Sequence, residues 1–248
     1  MRRGSRCWRK INPDEATARQ QLAAIQSALQ NESQSQLSEL FTPRLRKALI
    51  VGFCVALFQQ ITGINAIFYY APEIFKTAGV DVSGAMSFTV LIGLTLVIST
   101  LLSMWIIDRV GRRSLLIFGS IGMTIALTCI GMLFRASEAH TTLLLLSILA
   151  YVAIFAVSYG TVAYVIIAEI FPIQVRGVAV SIATFALWGG NFFVSRFFPG
   201  PRGKYQCGGH ILYFCRHIGG RANFLSWTMV PETKGKTLEE IELELHHK

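Results

Sequence analysis

Charge is scarce in this chain. Only 15% of its 248 residues are Asp, Glu, Lys or Arg, against 52% hydrophobic residues, and its mean hydropathy is +0.49. A soluble domain of this length needs more polar surface than that, so the composition excludes the ordinary globular classes and points to several membrane-spanning helices. The five cysteines (Cys7, Cys54, Cys129, Cys207 and Cys215) lack metal-site spacing, and two of them lie in apolar runs where a small apolar residue belongs. Free thiols are expected, with a Cys207 to Cys215 disulfide in an outer loop as the alternative. The five histidines (His140, His210, His217, His246 and His247) fall mostly in loops or at the tail. No His, Cys and carboxylate constellation shares one span, which argues against an enzyme, and no cofactor or metal is expected. A net charge of +9 suggests nucleic acid at first, but no basic stretch is interleaved with aromatics to form such a groove. A cleavable signal peptide is not expected either, because the first forty residues are polar and the first apolar run exceeds a signal h-region.

The apolar residues are gathered into runs. A hydrocarbon core of about 30 Å needs about 20 apolar residues to cross it, and such spans are readable at about 48 to 72, 84 to 107, 115 to 134, 142 to 168 and 178 to 198, with a poor sixth at about 211 to 230. The basic residues follow loop parity. Arg44, Arg46 and Lys47 precede the first span, Arg109, Arg112 and Arg113 follow the second, Arg176 follows the fourth, and Lys234 and Lys236 follow the last segment. The opposite loops hold Glu73, Lys76 and Asp81, then Arg135, Glu138 and His140. The positive-inside rule therefore places both termini in the cytoplasm.

Within the first span, Gln59-Gln60-Ile61-Thr62-Gly63-Ile64-Asn65 runs on to Tyr69-Tyr70. An amide without a partner in hydrocarbon costs about 2 to 7 kcal/mol, so this run must face protein or a water-filled cavity. At about 100° per residue, Gln59, Thr62, Asn65 and Tyr69 fall within an arc of roughly 120° on a continuous helix. Amides supply donors and acceptors without charge, which suits a neutral polyol; interhelical packing is the alternative role. Two charged junctions follow, Asp108-Arg109-Val110-Gly111-Arg112-Arg113 and Glu169-Ile170-Phe171-Pro172 with Arg176. Carboxylates and arginines at the same ends of neighbouring helices can pair and so favour whichever conformation brings those ends together. Solvated charges that only set topology are the alternative.

Before the first span, Leu22, Ile25, Leu29 and Leu37 recur at helical intervals after Pro13-Asp14-Glu15, as in an amphipathic helix on the cytoplasmic side; a flexible tail is the alternative. Met1 to Lys10 is basic and is expected to be a solvated tail, with contact to anionic lipid headgroups as the alternative.

Taken in order, these motifs resemble the sugar porter branch of the major facilitator superfamily. The Gln59 to Asn65 stretch with Tyr69-Tyr70 is similar to that family's seventh helix, Asp108 to Arg113 to its loop between helices eight and nine, Glu169 to Pro172 with Arg176-Gly177 to the end of helix ten, Trp188 with Asn191-Phe192 to helix eleven, and Pro231-Glu232-Thr233-Lys234-Gly235 to the sequence after helix twelve. The resemblance implies an all-α membrane protein, the C-terminal six-helix bundle of a twelve-helix carrier whose two bundles rock about a central site. It implies that Gln59, Gln60 and Asn65 bind sugar hydroxyls with Trp188 and Asn191, and that Tyr69 and Tyr70 stand near the outer gate. It also implies a cytoplasmic latch of Asp108, Arg109, Arg112, Arg113, Glu169 and Arg176. The expected partners are a sugar or polyol, membrane lipid and the missing N-terminal half, in a multi-pass plasma-membrane protein. A non-transporting fragment that binds or regulates another carrier is the alternative function.

The chain is accordingly divided into a tail and linker helix (1–44), helices equivalent to seven to eleven (45–198), a divergent outer loop with a doubtful last helix (199–230) and a cytoplasmic tail (231–248). Leu96, Ala156, Tyr164 and Leu187 stand where hexose carriers of the family place more strongly hydrogen-bonding or tryptophan side chains, so the resemblance implies carbohydrate without implying hexose. From Arg196 to about Phe224 the pattern lapses, with Arg216 and Arg221 where a span belongs, each costing about 2.5 to 3.5 kcal/mol at a helix centre. It resumes in frame at Ser226, which is the signature of a locally replaced stretch. A shifted frame or misassigned splice junction explains it, with real divergence or a cavity-facing arginine pair as alternatives.

Overall fold

A computed structural model describes residues 40–135, 141–197, 230–236 and 240–241. The amphipathic linker before Leu40, the lapsed segment after Phe197 with Arg216 and Arg221, the doubtful sixth span, and Cys7, Cys207 and Cys215 lie outside the described residues.

The described chain is helical, in the order α1 (Pro43–Ile61), α2 (Ile64–Thr77), α3 (Val82–Val110), α4 (Arg112–Arg135), α5 (Thr141–Phe155), a π turn (Ala156–Gly160), α6 (Thr161–Glu169) and α7 (Ile173–Phe197). Five stretches are long and apolar enough to cross a membrane: Leu45–Thr77, Val82–Val110, Arg112–Phe134, Thr141–Glu169 and Val175–Arg196. They are numbered here as spans one to five, and each contains or overlaps one of the five firm spans expected from hydropathy.

Local chemistry fixes the ends. Pro43 opens α1 at a position where its missing amide is no loss. Asp81 caps α3, accepting from the amides of Ser83 at 3.2 Å and Gly84 at 3.3 Å. Hydrogen bonds from the Ser83 hydroxyl and the Gly84 amide hold this carboxyl below its usual range.

The first span is not continuous. α1 stops at Ile61 and α2 starts at Ile64 because Gly63 takes φ 85°, the left-handed conformation that glycine adopts without a Cβ clash. The break frees backbone groups in a place where hydrocarbon cannot satisfy them. The amide of Gly63 returns to the Gln60 carbonyl at 3.0 Å, and the Tyr151 hydroxyl donates to the Thr62 carbonyl at 2.8 Å. Thr62 Oγ1 in turn donates to the Gln59 carbonyl at 2.7 Å. A single helix face through Gln59, Thr62, Asn65 and Tyr69 is therefore interrupted, since the two halves of the span do not share one ladder.

Span four lies at the centre. It packs on spans one, two, three and five and buries Tyr151, Val152, Tyr159, Val162, Ala163 and Ile166 almost completely. Span five lies mainly along α1. Span two is peripheral, with Val90, Leu94, Val97, Leu101 and Met104 all more than half exposed, the surface a helix offers to lipid rather than to water.

Gly63→Ala is expected to lower stability by about 1 to 2 kcal/mol, the cost of a left-handed non-glycine residue. Tyr151→Phe is expected to cost about 1 to 3 kcal/mol by leaving a buried carbonyl without its donor. Thermal unfolding in detergent micelles checks both, and unchanged unfolding in either variant would show that the break is not held as described.

Candidate functional site

Two polar sites interrupt the apolar bundle. The first surrounds the break in span one. Gln59, Gln60, Thr62 and Asn191 are all buried. Gln60 Oε1 accepts from Asn65 Nδ2 across the break, a pairing that a regular helix disfavours because residues five apart do not share a face. Gln59 turns the other way and donates from Nε2 to the Gly160 carbonyl at the end of the π turn, 3.3 Å away. Its Oε1 is buried and has no hydrogen-bond partner among the described residues, a state that costs about 1 to 3 kcal/mol until a donor arrives. Asn191 brings span five in, donating from Nδ2 to the Tyr69 hydroxyl at 3.3 Å while its Oδ1 accepts from Ser195 at 3.3 Å.

The expected site residues thus divide. Gln60 and Asn65 pair with each other, as do Tyr69 and Asn191, and Gln59 fastens span one to span four. Tyr70 is half-buried against the core. Trp188 lies on span five and is 62% exposed, so its indole is open rather than packed. Of the residues marked as departures, Ala156 and Leu187 are buried and Leu96 packs against the core, whereas Tyr164 is exposed. Sequence reasoning missed Tyr151 and the π turn. A tyrosine within the apolar run of span four was the available signal, since a buried phenol needs a partner.

The second site lies where spans two, three and four end together. Arg112 donates from Nη2 to Asp108 Oδ1 and to Glu169 Oε1, each at 2.9 Å, and from Nη1 to the Ile107 carbonyl at 3.3 Å. The Arg112 side chain is 11% exposed, Glu169 32% and Asp108 71%. The Arg112–Glu169 contact is therefore the stronger of the two, because solvent screens the Asp108 contact. Glu169 Oε2 also accepts from Thr233 Oγ1 at 2.6 Å.

Glu232 contributes what the sequence reading did not assign. Its carboxylate accepts from the amides of Arg112 at 2.9 Å and Arg113 at 3.1 Å, at the first turn of α4. A carboxylate at a helix N-terminus satisfies orphan amides and meets the positive end of the helix dipole. Gly111, at φ 95°, makes the approach possible, because a Cβ there would stand 2.7 Å from Glu232 Oε2. Lys234 Nζ donates to the Arg109 carbonyl at 2.6 Å, near the end of α3. Asp108, Arg112 and Glu169 thus come together. Arg113 joins through its amide, Arg109 lies 3.5 Å over the Trp105 ring, and Arg176 donates to the Phe171 carbonyl from Nε and Nη2, each at 3.2 Å. An acidic residue in the Pro231 to Gly235 motif was a visible signal, but its target, an unpaired helix start 120 residues earlier, was not.

Apolar membrane-length helices around a broken first span, with an ion cluster at one end, define a helical integral membrane protein. The sequence profile of the family described as Sugar (and other) transporter matches residues 3–245, and the chain belongs to that family. It is 39% identical over 232 residues to the arabinose-proton symporter of Bacillus subtilis (strain 168), covering 92% of this chain and 49% of that protein. It is 40% identical over 201 residues to the D-xylose-proton symporter of Escherichia coli (strain K12), covering 78% of this chain and 40% of that protein. Among solved structures, the inward-open xylose transporter XylE from E. coli superposes with TM-score 0.76 at 33% identity, over 98% of this chain and 50% of that one. The XylE structure bound to 6-bromo-6-deoxy-D-glucose gives TM-score 0.74 at 36% identity, over 96% of this chain and 50% of that one. The chain spans about half the length of the curated relatives it matches.

Glu232→Ala and Glu169→Gln are each expected to lower stability by about 1.5 to 3 kcal/mol, the range for hydrogen bonds to a charged group. Asp108→Asn should cost less than about 1 kcal/mol because its carboxylate is exposed. Thermal or denaturant unfolding of the purified variants checks the order, and an Asp108 effect equal to that of Glu169 would contradict it.

Proposed function

We propose that this chain forms the C-terminal bundle of a sugar-porter carrier and moves a sugar or related polyol by alternating access together with a complementary six-helix bundle. The observation that carries the reading is the amide cluster at the break in span one. Gln60 and Asn65 bridge the break, and Gln59 keeps an unpartnered acceptor beside them. Such a site suits neutral hydroxyls, which can exchange with the Gln60–Asn65 bond and, once the site opens, donate to Gln59 Oε1, which is buried in this structure, and broken helices near a midplane site are a recurring feature of transporters. Trp188, exposed on span five, is placed to stack against a sugar ring, with Tyr69 and Tyr70 toward the outer side. No bond is made or broken in the solute, so the work is transport without chemical catalysis.

The Asp108–Arg112–Glu169 cluster, with Glu232 and Thr233, serves as the latch. Its contacts to Glu169, from Arg112 and Thr233, exist only while the end of span four stays beside the start of span three, so they favour one of the two access states. The charge parity of the loops puts this end in the cytoplasm with both termini, in a multi-pass plasma-membrane protein.

The deciding experiment is uptake by vesicles holding this chain with the N-terminal half of a sugar porter. Saturable sugar uptake is expected from the pair and not from this chain alone. In the pair, Gln60→Ala should weaken solute affinity by roughly 1 to 2 kcal/mol, about 5- to 30-fold, at near-normal membrane abundance. Normal binding with reduced expression and thermal stability would instead make Gln60 a packing residue. Glycosylation tags inserted near Asp81 and near Glu138 should both report the outer side, and cytoplasmic reports from both would overturn the topology.

A further inference from the structure

The irregular turn of span four sits where span one needs an acceptor. A π turn carries one residue more than the α-helix around it and directs its carbonyls off the regular ladder. In Ala156–Gly160, side chains from three spans take those carbonyls. Gln59 of span one donates to Gly160 at 3.3 Å, Ser103 of span two donates to Val157 at 3.0 Å, and Thr161 of span four donates to Ala156 at 3.0 Å. Span three contributes space. A Cβ on Gly119 would lie 2.2 Å from both Cβ and Oγ of Ser158, so the side chain displaced by the turn is accommodated only because residue 119 has none. Ser103 is fully buried and Ser158 nearly so, which leaves neither hydroxyl a water-facing role.

We propose that Ser103 and Gly119 are positioning residues, which hold the π turn in the register that gives Gln59 its acceptor and so fix the orientation of the Gln59 amide at the solute site. The solute part of this proposal rests on the carrier reading above; the coupling between the turn and Gln59 does not. Relaxing the turn to a regular helix shifts one flank of span four by about 1.5 Å and 100° relative to the other, which takes the Gly160 carbonyl away from Gln59 Nε2 and frees the amide to rotate. Ser103 lies about one and a half turns from Asp108 on span two, and Gly119 about two turns from Arg112 on span three. The two helices that clamp the turn therefore also carry the charged cluster at their ends, and a movement there reaches the solute amide through the turn.

Hydrogen–deuterium exchange of the full chain in lipid nanodiscs tests the coupling. Ser103→Ala should accelerate exchange about fivefold in the peptides covering 156–162 and also in those covering 59–65, by loss of one buried hydrogen bond. Ser103→Thr, which keeps the hydroxyl, should restore both. Gly119→Ala should accelerate the same two regions by displacing Ser158, and supplies the comparison if Ser103→Ala does not accumulate. Acceleration confined to 156–162, no acceleration, or a uniform rise across all peptides in both variants would overturn the proposal. With the complementary half present and D-xylose or L-arabinose as the probe, Ser103→Ala should raise KM about fivefold with Vmax per carrier retained. An unchanged KM beside normal wild-type uptake would overturn the orienting of the Gln59 amide at the solute site. Absence of uptake by the wild-type pair would refute the carrier reading while the exchange result still decides the coupling.

Discussion

Backbone groups inside hydrocarbon have no water to turn to, and that constraint governs every irregular feature of this bundle. A straight helix meets it alone. The break at Gly63 and the π turn at Ala156–Gly160 do not, and each draws its missing partners from other spans: Tyr151 covers the Thr62 carbonyl, Gln59 the Gly160 carbonyl and Ser103 the Val157 carbonyl. The irregularities in spans one and four are thus mutually satisfied. An isolated break would cost several kcal/mol, so its polar neighbours are a structural requirement before they are a binding site. The same residues can serve both purposes because a glutamine has two ends. Gln59 uses Nε2 for the scaffold and keeps Oε1 unspent.

The charged end obeys the same accounting with stronger groups. The first amides of α4 fall at a helix start with little chain before it, since only Gly111 separates α3 from α4. Glu232 supplies their acceptor from 120 residues further along the chain. Arg112 then joins its own span to span four through Glu169 and to span two through Asp108. The Arg112–Glu169 contact joins ends that are distant in the chain and is made only while they stay together, which is the property a two-state latch needs.

Span existence was legible in the sequence because hydropathy over twenty residues is a coarse, additive signal, and all five firm spans are present. The site was legible as a set of residue types rather than as an arrangement. Gln60 and Asn65 stand together, but across a break that the helical-periodicity argument did not include; Gly63 was present in the motif, but the Tyr151 hydroxyl that covers the freed carbonyl comes from another span, which periodicity does not announce. The π turn had no local signature, since one extra residue in a ladder leaves the hydropathy of span four unchanged. Arg109 and Arg176 were expected in the latch from their place at the charged junctions and from the family resemblance. Their side chains instead reach nearer partners, the Trp105 ring and the Phe171 carbonyl, because loop charges choose among several partners within reach and spacing does not rank them. Glu232 was hidden for a different reason. Its partner is a pair of backbone amides, which no residue code announces.

The Glu232 contact also has a meaning in time. The amides it caps are made 120 residues before it, and at translation rates of about 5 to 20 residues per second that interval is roughly 6 to 24 s. Until then the start of the third span has no such acceptor, and the carboxylate that supplies it is synthesised after every described span. The contact therefore acts as a completion mark. A chain interrupted before Glu232 carries every described span and still lacks the acceptor at the start of α4.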